Sequence, residues 1–116
     1  MSDLVEQHCI PCRGGMPSLT EAEIATLSPQ APDWAVIEQD GIPRLKRTFK
    51  FKNFTQALAF TNQVGELAEA EDHHPTILTE WGRVTVTWWT HVIKGLHQND
   101  FIMATKTDRA YQDIQS

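Results

Sequence analysis

The stretch WAVIEQDGIPRLKRTFKF, residues 34–51, decides the fold class. Trp34 to Gln39 is a short run suited to a strand. Asp40-Gly41 then tolerates the positive φ values that a tight hairpin turn demands. From Arg44 to Phe51 the side chains alternate. Leu45, Phe49 and Phe51 fall on one face, and Arg44, Lys46, Thr48 and Lys50 on the other. A period of two describes a strand with one side on a core and one in water. The basic stripe Arg44, Lys46, Lys50 and Lys52 is accordingly expected to be a solvated strand face, not a nucleic-acid patch.

Helical patterns flank this hairpin. Upstream, Thr20 and Glu23 form a capping-box pair that opens a short helix over Glu21 to Leu27, closed by Pro29 and Pro32. Downstream, Asn53 with Gln56 caps a helix running to about Asp72. Leu58, Thr61, Val64/Gly65 and Ala68 form its expected buried stripe, with Phe54, Ala57, Phe60 and Leu67 nearby. Pro75 disfavours helical geometry at His74, so this helix stops just before the His-His pair. Ile77 to Trp81 and Arg83 to Val92 read as two further strands around a tight turn at Gly82, and Gln98 to Ile114 as a last helix. The order helix, hairpin, helix, two strands, helix predicts an α+β class, an antiparallel sheet with helices on one face. Residues 1–19, with Pro11, Gly14, Gly15 and Pro17, read as an irregular N-terminal arm, and residues 20–116 as one domain.

At 116 residues a single domain buries about two-thirds of its unfolded surface, and 41% hydrophobic residues supply a core without staples. A net charge of −5 argues against a nucleic-acid binder. Asp3 and Glu6 interrupt the N-terminus, so no signal peptide is expected, and no run reaches the ~20 apolar residues of a membrane span. The expected location is the cytoplasm. Cys9 and Cys12 are too few and too close for a disulfide framework. They match half of a zinc site, but a lone C-x-x-C lacks its second pair, and adjacent His73 and His74 do not readily face one ion. Inert reduced thiols and no metal are expected.

Two places break structural rules. Glu66, Glu69, Glu71 and Asp72 crowd a helix C-terminus, where each carboxylate costs about 0.3–1 kcal/mol against the dipole. Glu66 and Glu71 are expected to form a solvated acidic face. Carboxylates beside His73 and His74 favour the protonated imidazole that a general acid requires. The second place is His91. In Arg83 to Val92, Val84, Val86, Trp88 and Val92 share the core side, while Arg83, Thr85, Thr87, Trp89 and His91 share the polar side. Asp100 opens the last helix, where a carboxylate satisfies orphan N–H groups. His97, just ahead of it, is expected in solvent.

The run Glu69-Ala70-Glu71-Asp72-His73-His74-Pro75, followed by Trp81, His91 and Asp100, resembles the signature of the pterin-4a-carbinolamine dehydratase family. A His-His-Pro alone is weak; the full spaced set is specific. The likeness extends from about Thr20 to the C-terminus, including Phe51-Lys52-Asn53-Phe54 and Leu58-Ala59-Phe60. Leu78-Thr79-Glu80-Trp81-Gly82 and Lys94-Gly95-Leu96 look like bacterial members associated with phenylalanine hydroxylase. Where the family often opens its last helix with Ser or Thr, His97 stands here.

The resemblance implies a four-stranded antiparallel sheet with three helices packed on one face. It implies a hydro-lyase that dehydrates 4a-hydroxytetrahydropterin to quinonoid dihydropterin, with no cofactor because the pterin is the substrate. Acid/base roles then fall to His73, His74 and His91, and substrate-binding or orienting roles to Glu69, Pro75 and Asp100. Trp81 is expected to pack in the core. The implied partners are a small pterin, a second copy in a homodimer or homotetramer joined at sheet edges, and a functional link to phenylalanine hydroxylase. A non-catalytic protein-interaction or transcription-coregulator role on the same fold is the alternative.

Overall fold

The computed structural model describes residues 4–11 and 16–115. Strands β1 (Ala35–Gln39) and β2 (Ile42–Lys50) form the expected hairpin. Asp40 and Gly41 at its tip have φ of 55° and 76°, the two-residue turn whose twist matches the paired strands. Strands β3 (Thr76–Glu80) and β4 (Arg83–Trp88) form a second hairpin. The sheet order is β1-β2-β4-β3, antiparallel throughout, so the hairpins meet with Leu45 opposite Trp88 and Phe49 opposite Val84.

Among the described residues three α-helices, α1 (Glu21–Leu27), α2 (Phe54–Glu71) and α3 (Gln98–Gln115), complete the order α-β-β-α-β-β-α. Short 3-10 turns lie at Leu4–Glu6, Ser28–Gln30 and His91–Ile93. Leu45, Phe49, Phe51, Val84, Val86 and Trp88 are buried against Ala57, Phe60, Val64 and Ala68 of α2 and Phe101 to Ala104 of α3. Each large side chain of that set contributes about 1.5–3 kcal/mol by leaving water. Ile24 and Leu27 of α1, half-buried, join the same core. The fold is the α+β arrangement expected. No helix among the described residues is long and apolar enough to cross a membrane.

Two expectations about packing fail. The buried stripe of α2 is Ala57, Phe60, Val64 and Ala68, while Leu58 is 44% exposed. The helix is rotated because Phe60 seats its ring 4.8 Å from Phe49 and 5.2 Å from Phe51, and a large aromatic contact outweighs a leucine. Trp81 is 70% exposed at the tip of the β3–β4 turn and takes no part in the core. The carbonyl of Gly82 accepts from Phe51 N–H at 2.9 Å, which seats the turn's backbone, not its tryptophan, against the end of β2.

Candidate active site

The end of α2 sends two adjacent histidines into different surroundings. Asp72 is left-handed (φ 50°, ψ 44°), and its N–H and that of His73 fold back onto the carbonyls of Glu69 and Ala68. These bonds satisfy orphan carbonyls of the last turn. A non-glycine residue pays about 1–2 kcal/mol in this conformation, least when it is Asp or Asn. His73 then turns inward, and Pro75 confines His74 to extended geometry.

His73 is buried, its ring parallel to the Trp88 indole with centroids 5.8 Å apart and 6° between planes. Its Nε2 lies 2.6 Å from Asp100 Oδ1. His74 stays exposed, with Nε2 2.5 Å from Glu69 Oε1 on the preceding turn. With Nε2 engaged in both, proton exchange with a ligand falls to Nδ1.

Asp100 is fully buried, and one carboxylate serves three donors. Oδ1 holds His73, while Oδ2 accepts from the Thr90 hydroxyl at 2.8 Å and the His97 N–H at 2.9 Å. Its place in the first turn of α3 lets the helix dipole support the charge. His97 is half-buried, not in solvent: its Nδ1 accepts from Asn99 N–H at 3.0 Å, the capping bond a Ser or Thr would make.

His91 is not on a strand, contrary to the alternation. β4 ends at Trp88, and Thr90 pairs with Gly95 in an isolated antiparallel bridge, with Thr90 N–H donating to Gly95 O at 2.9 Å. Lys94, left-handed at φ 49°, donates to His91 O at 3.2 Å and closes the intervening turn. Gly95 is needed because a Cβ there would meet Ser18 Cβ at 2.8 Å. The turn lifts His91 off the sheet and lays its ring on Trp89, centroids 4.2 Å apart.

Glu71, expected in water, is only 11% exposed along its side chain. It clasps the N-terminal arm: Oε1 accepts from Cys9 N–H at 2.8 Å, and Oε2 lies 2.9 Å from His8 Nδ1. Burial pushes its carboxyl up, but the Cys9 N–H, His8 and Lys106 together pull it below the usual glutamate range. Buried Asn99 holds the next residue twice, accepting from Ile10 N–H at 3.1 Å and donating to Ile10 O at 2.7 Å.

A cleft of about 650 Å³ results, lined by His73, His74 and His91 on the body and by His8 to Pro11 of the arm. Of the expected site residues, the three histidines therefore share one cleft. Glu69 and Asp100 stand behind two of them, and Pro75 follows as the turn's brace. Sequence reasoning missed Thr90, Glu71 and Asn99; the surplus of acid at the end of α2 was the one hint of a clasp. Among the described residues no three His, Cys, Asp or Glu side chains are grouped to hold a metal ion, and Cys12 lies outside those residues.

A family model described as pterin 4 alpha carbinolamine dehydratase matches residues 17–110. A protein of Microcystis aeruginosa, named by inference a pterin-4-alpha-carbinolamine dehydratase, is 55% identical over 112 residues, 97% of either chain. One of Nitrosococcus oceani, named likewise, is 60% identical over 109 residues, 94% of this chain and 96% of its own. The crystal structure of a transcriptional coactivator/pterin dehydratase from Brucella melitensis is similar at 35% identity and a TM-score of 0.74, covering 82% of this chain and 99% of that one. With likeness at this level over nearly the whole fold, the chain belongs to the pterin-4α-carbinolamine dehydratase family.

Proposed function

We propose that the protein dehydrates a 4a-hydroxytetrahydropterin to the quinonoid dihydropterin. The observation that carries this reading is the convergence of three imidazoles on one cleft, two of them backed by carboxylates. In the reaction a general acid protonates the hydroxyl on C4a, and the C–O bond breaks to release water. A general base takes the N5 proton, and the C4a–N5 double bond forms. Each transfer by a positioned imidazole contributes about 10²–10⁴-fold.

The surroundings support a division of roles. His73, with Asp100 buried behind it, suits the base, because the carboxylate orients the ring and supports the imidazolium formed on accepting the N5 proton. His74 and His91 are exposed, exchange protons with water, and suit the donor side. The same proposal covers a cofactor-free, cytoplasmic enzyme of pterin recycling that serves aromatic amino-acid hydroxylation. It also covers self-association into a homodimer or homotetramer along a sheet edge.

The test generates the 4a-hydroxy substrate in situ and follows the quinonoid product spectroscopically against a no-enzyme blank, because the substrate also dehydrates unaided. The expected result is a rate above the blank that survives chelator treatment and collapses in His73→Ala and His74→Ala. A wild-type rate equal to the blank overturns the proposal and favours a binding role.

A further inference from the structure

Arg44 is an anomaly on the open face of the sheet. It was expected in water, yet it is 8% exposed. Its buried Nε finds no hydrogen-bond partner among the described residues. Nη2 reaches the Gln39 carbonyl at 3.2 Å and Asp40 only at 3.9 Å. An arginine buried on so few polar contacts needs some other favourable contact, and one lies beside it. Its guanidinium carbon sits 4.0 Å from the centroid of Trp89. A flat guanidinium on an indole face is a favourable contact that a lysine reproduces poorly.

Trp89 has a second occupant. The His91 ring is stacked on it at 4.2 Å with 22° between planes. Arg44 and His91 therefore both pack closely on the one indole. Of the three, His91 lines the cleft, and Trp89 and Arg44 do not. His73 and His74 each have a carboxylate to fix the ring, at 2.6 and 2.5 Å. For His91 the ring stack plays the corresponding part. An exposed imidazole on a turn otherwise hops among rotamers on the picosecond-to-nanosecond scale, and a misaligned proton donor loses rate steeply.

We infer that Trp89, itself held by Arg44, is a positioning residue that fixes the plane of His91 for proton transfer. The inference rests on the dehydration proposed above. The experiment combines steady-state kinetics with NMR of the His91 ring protons in the full chain, assigned by their loss in His91→Gln. In the unaltered protein the Trp89 ring current should place these protons upfield of a solvent-exposed histidine. Trp89→Leu should return them to the exposed position and lower kcat about ten- to a hundredfold, with KM changed less than about twofold. Trp89→Phe should restore most of both, and Arg44→Met should move both part of the way.

His91 protons already at the exposed position in the unaltered protein overturn the inference. So does a Trp89→Leu protein with shifted protons and intact kcat. If Trp89→Leu does not fold, Arg44→Met, which keeps the side-chain bulk away from the cleft, decides the matter by the same two readouts. An unaltered protein with no rate above the blank overturns the dehydration itself, a different failure, whatever the spectrum shows.

Discussion

Among the described residues, two of the open cavities are of nearly equal size, about 650 and about 630 Å³, and both are rich in ionisable groups. In the second, lined among others by Asp33, Arg47, Asp108 and Tyr111, the charges answer one another. Arg47 Nη1 lies 2.6 Å from Asp108 and 3.6 Å from Asp33, and its guanidinium covers Phe49 at 4.4 Å. The Trp34 indole N–H donates to the same Asp108 at 2.9 Å, and the Tyr111 hydroxyl donates to Lys50 O at 3.1 Å. In the histidine cleft the pairing has a different consequence. An imidazole tied through one nitrogen still has the other, which gives or takes a proton, so the carboxylate orients the group without consuming it. A crowd of charges is therefore not the signal of a site; capacity left over after internal pairing is.

The sharpest way to break this contrast is to remove the carboxylate that orients. Asp100→Ala strips His73, the Thr90 hydroxyl and the His97 N–H of their shared acceptor. We expect kcat to fall about 10²-fold or more, together with a loss of about 2–4 kcal/mol in urea unfolding. Asp100→Asn keeps the volume and one acceptor oxygen, so it should recover much of the stability and little of the rate. An Asn variant with unimpaired kcat would show that His73 needs no anion behind it, and the distinction between the cavities would collapse.

The opposite expectation holds on the other side. Asp108→Ala leaves Arg47 and the Trp34 N–H without their closest acceptor in a largely enclosed place. We expect it to cost about 2–3 kcal/mol of stability while kcat/KM, measured well below the melting range, stays within about twofold. A fall in activity at full folding would give the second cavity a part in function.

What was legible in the sequence divides along the same physical line. Features settled by neighbours in the chain were visible. Asp40-Gly41 makes its turn with both φ values positive, and Thr20 with Glu23 closes the capping box in both directions, at 2.9 and 3.2 Å. Asn53 caps α2 through Gln56 N–H, and the helix ends ahead of Pro75. Features settled by distant contacts were not. The face of α2 depends on where Phe60 meets Phe49 and Phe51. The turn under His91 depends on the bridge from Thr90 to Gly95 and on Ser18 lying against Gly95. Nothing in local spacing unites His73 with Asp100; only the family resemblance put them in one site. The clasp of the arm by Glu71 and Asn99 joins parts of the chain that no periodicity links.

That clasp gives the smallest effect and a clean one, because its two hooks differ in kind. Glu71 titrates and Asn99 does not. The Glu71 carboxyl lies below its ordinary 4.5 in the fold, through the Cys9 N–H, His8 and Lys106 acting against the cost of burial. A group with a depressed folded pKa binds fewer protons folded than unfolded. The stability it supplies is therefore present above about pH 4.5 and is lost as pH falls through the folded value. Hydrogen exchange, corrected for its intrinsic pH dependence, should show protection of the Cys9 amide declining over that acid window. The Ile10 amide, bonded to Asn99, should keep its protection there. Glu71→Gln retains an acceptor without the titration and should flatten the Cys9 profile. Equal loss at both amides would mean that the arm leaves as one piece, so that the wall of the histidine cleft is held by a single protonatable hook.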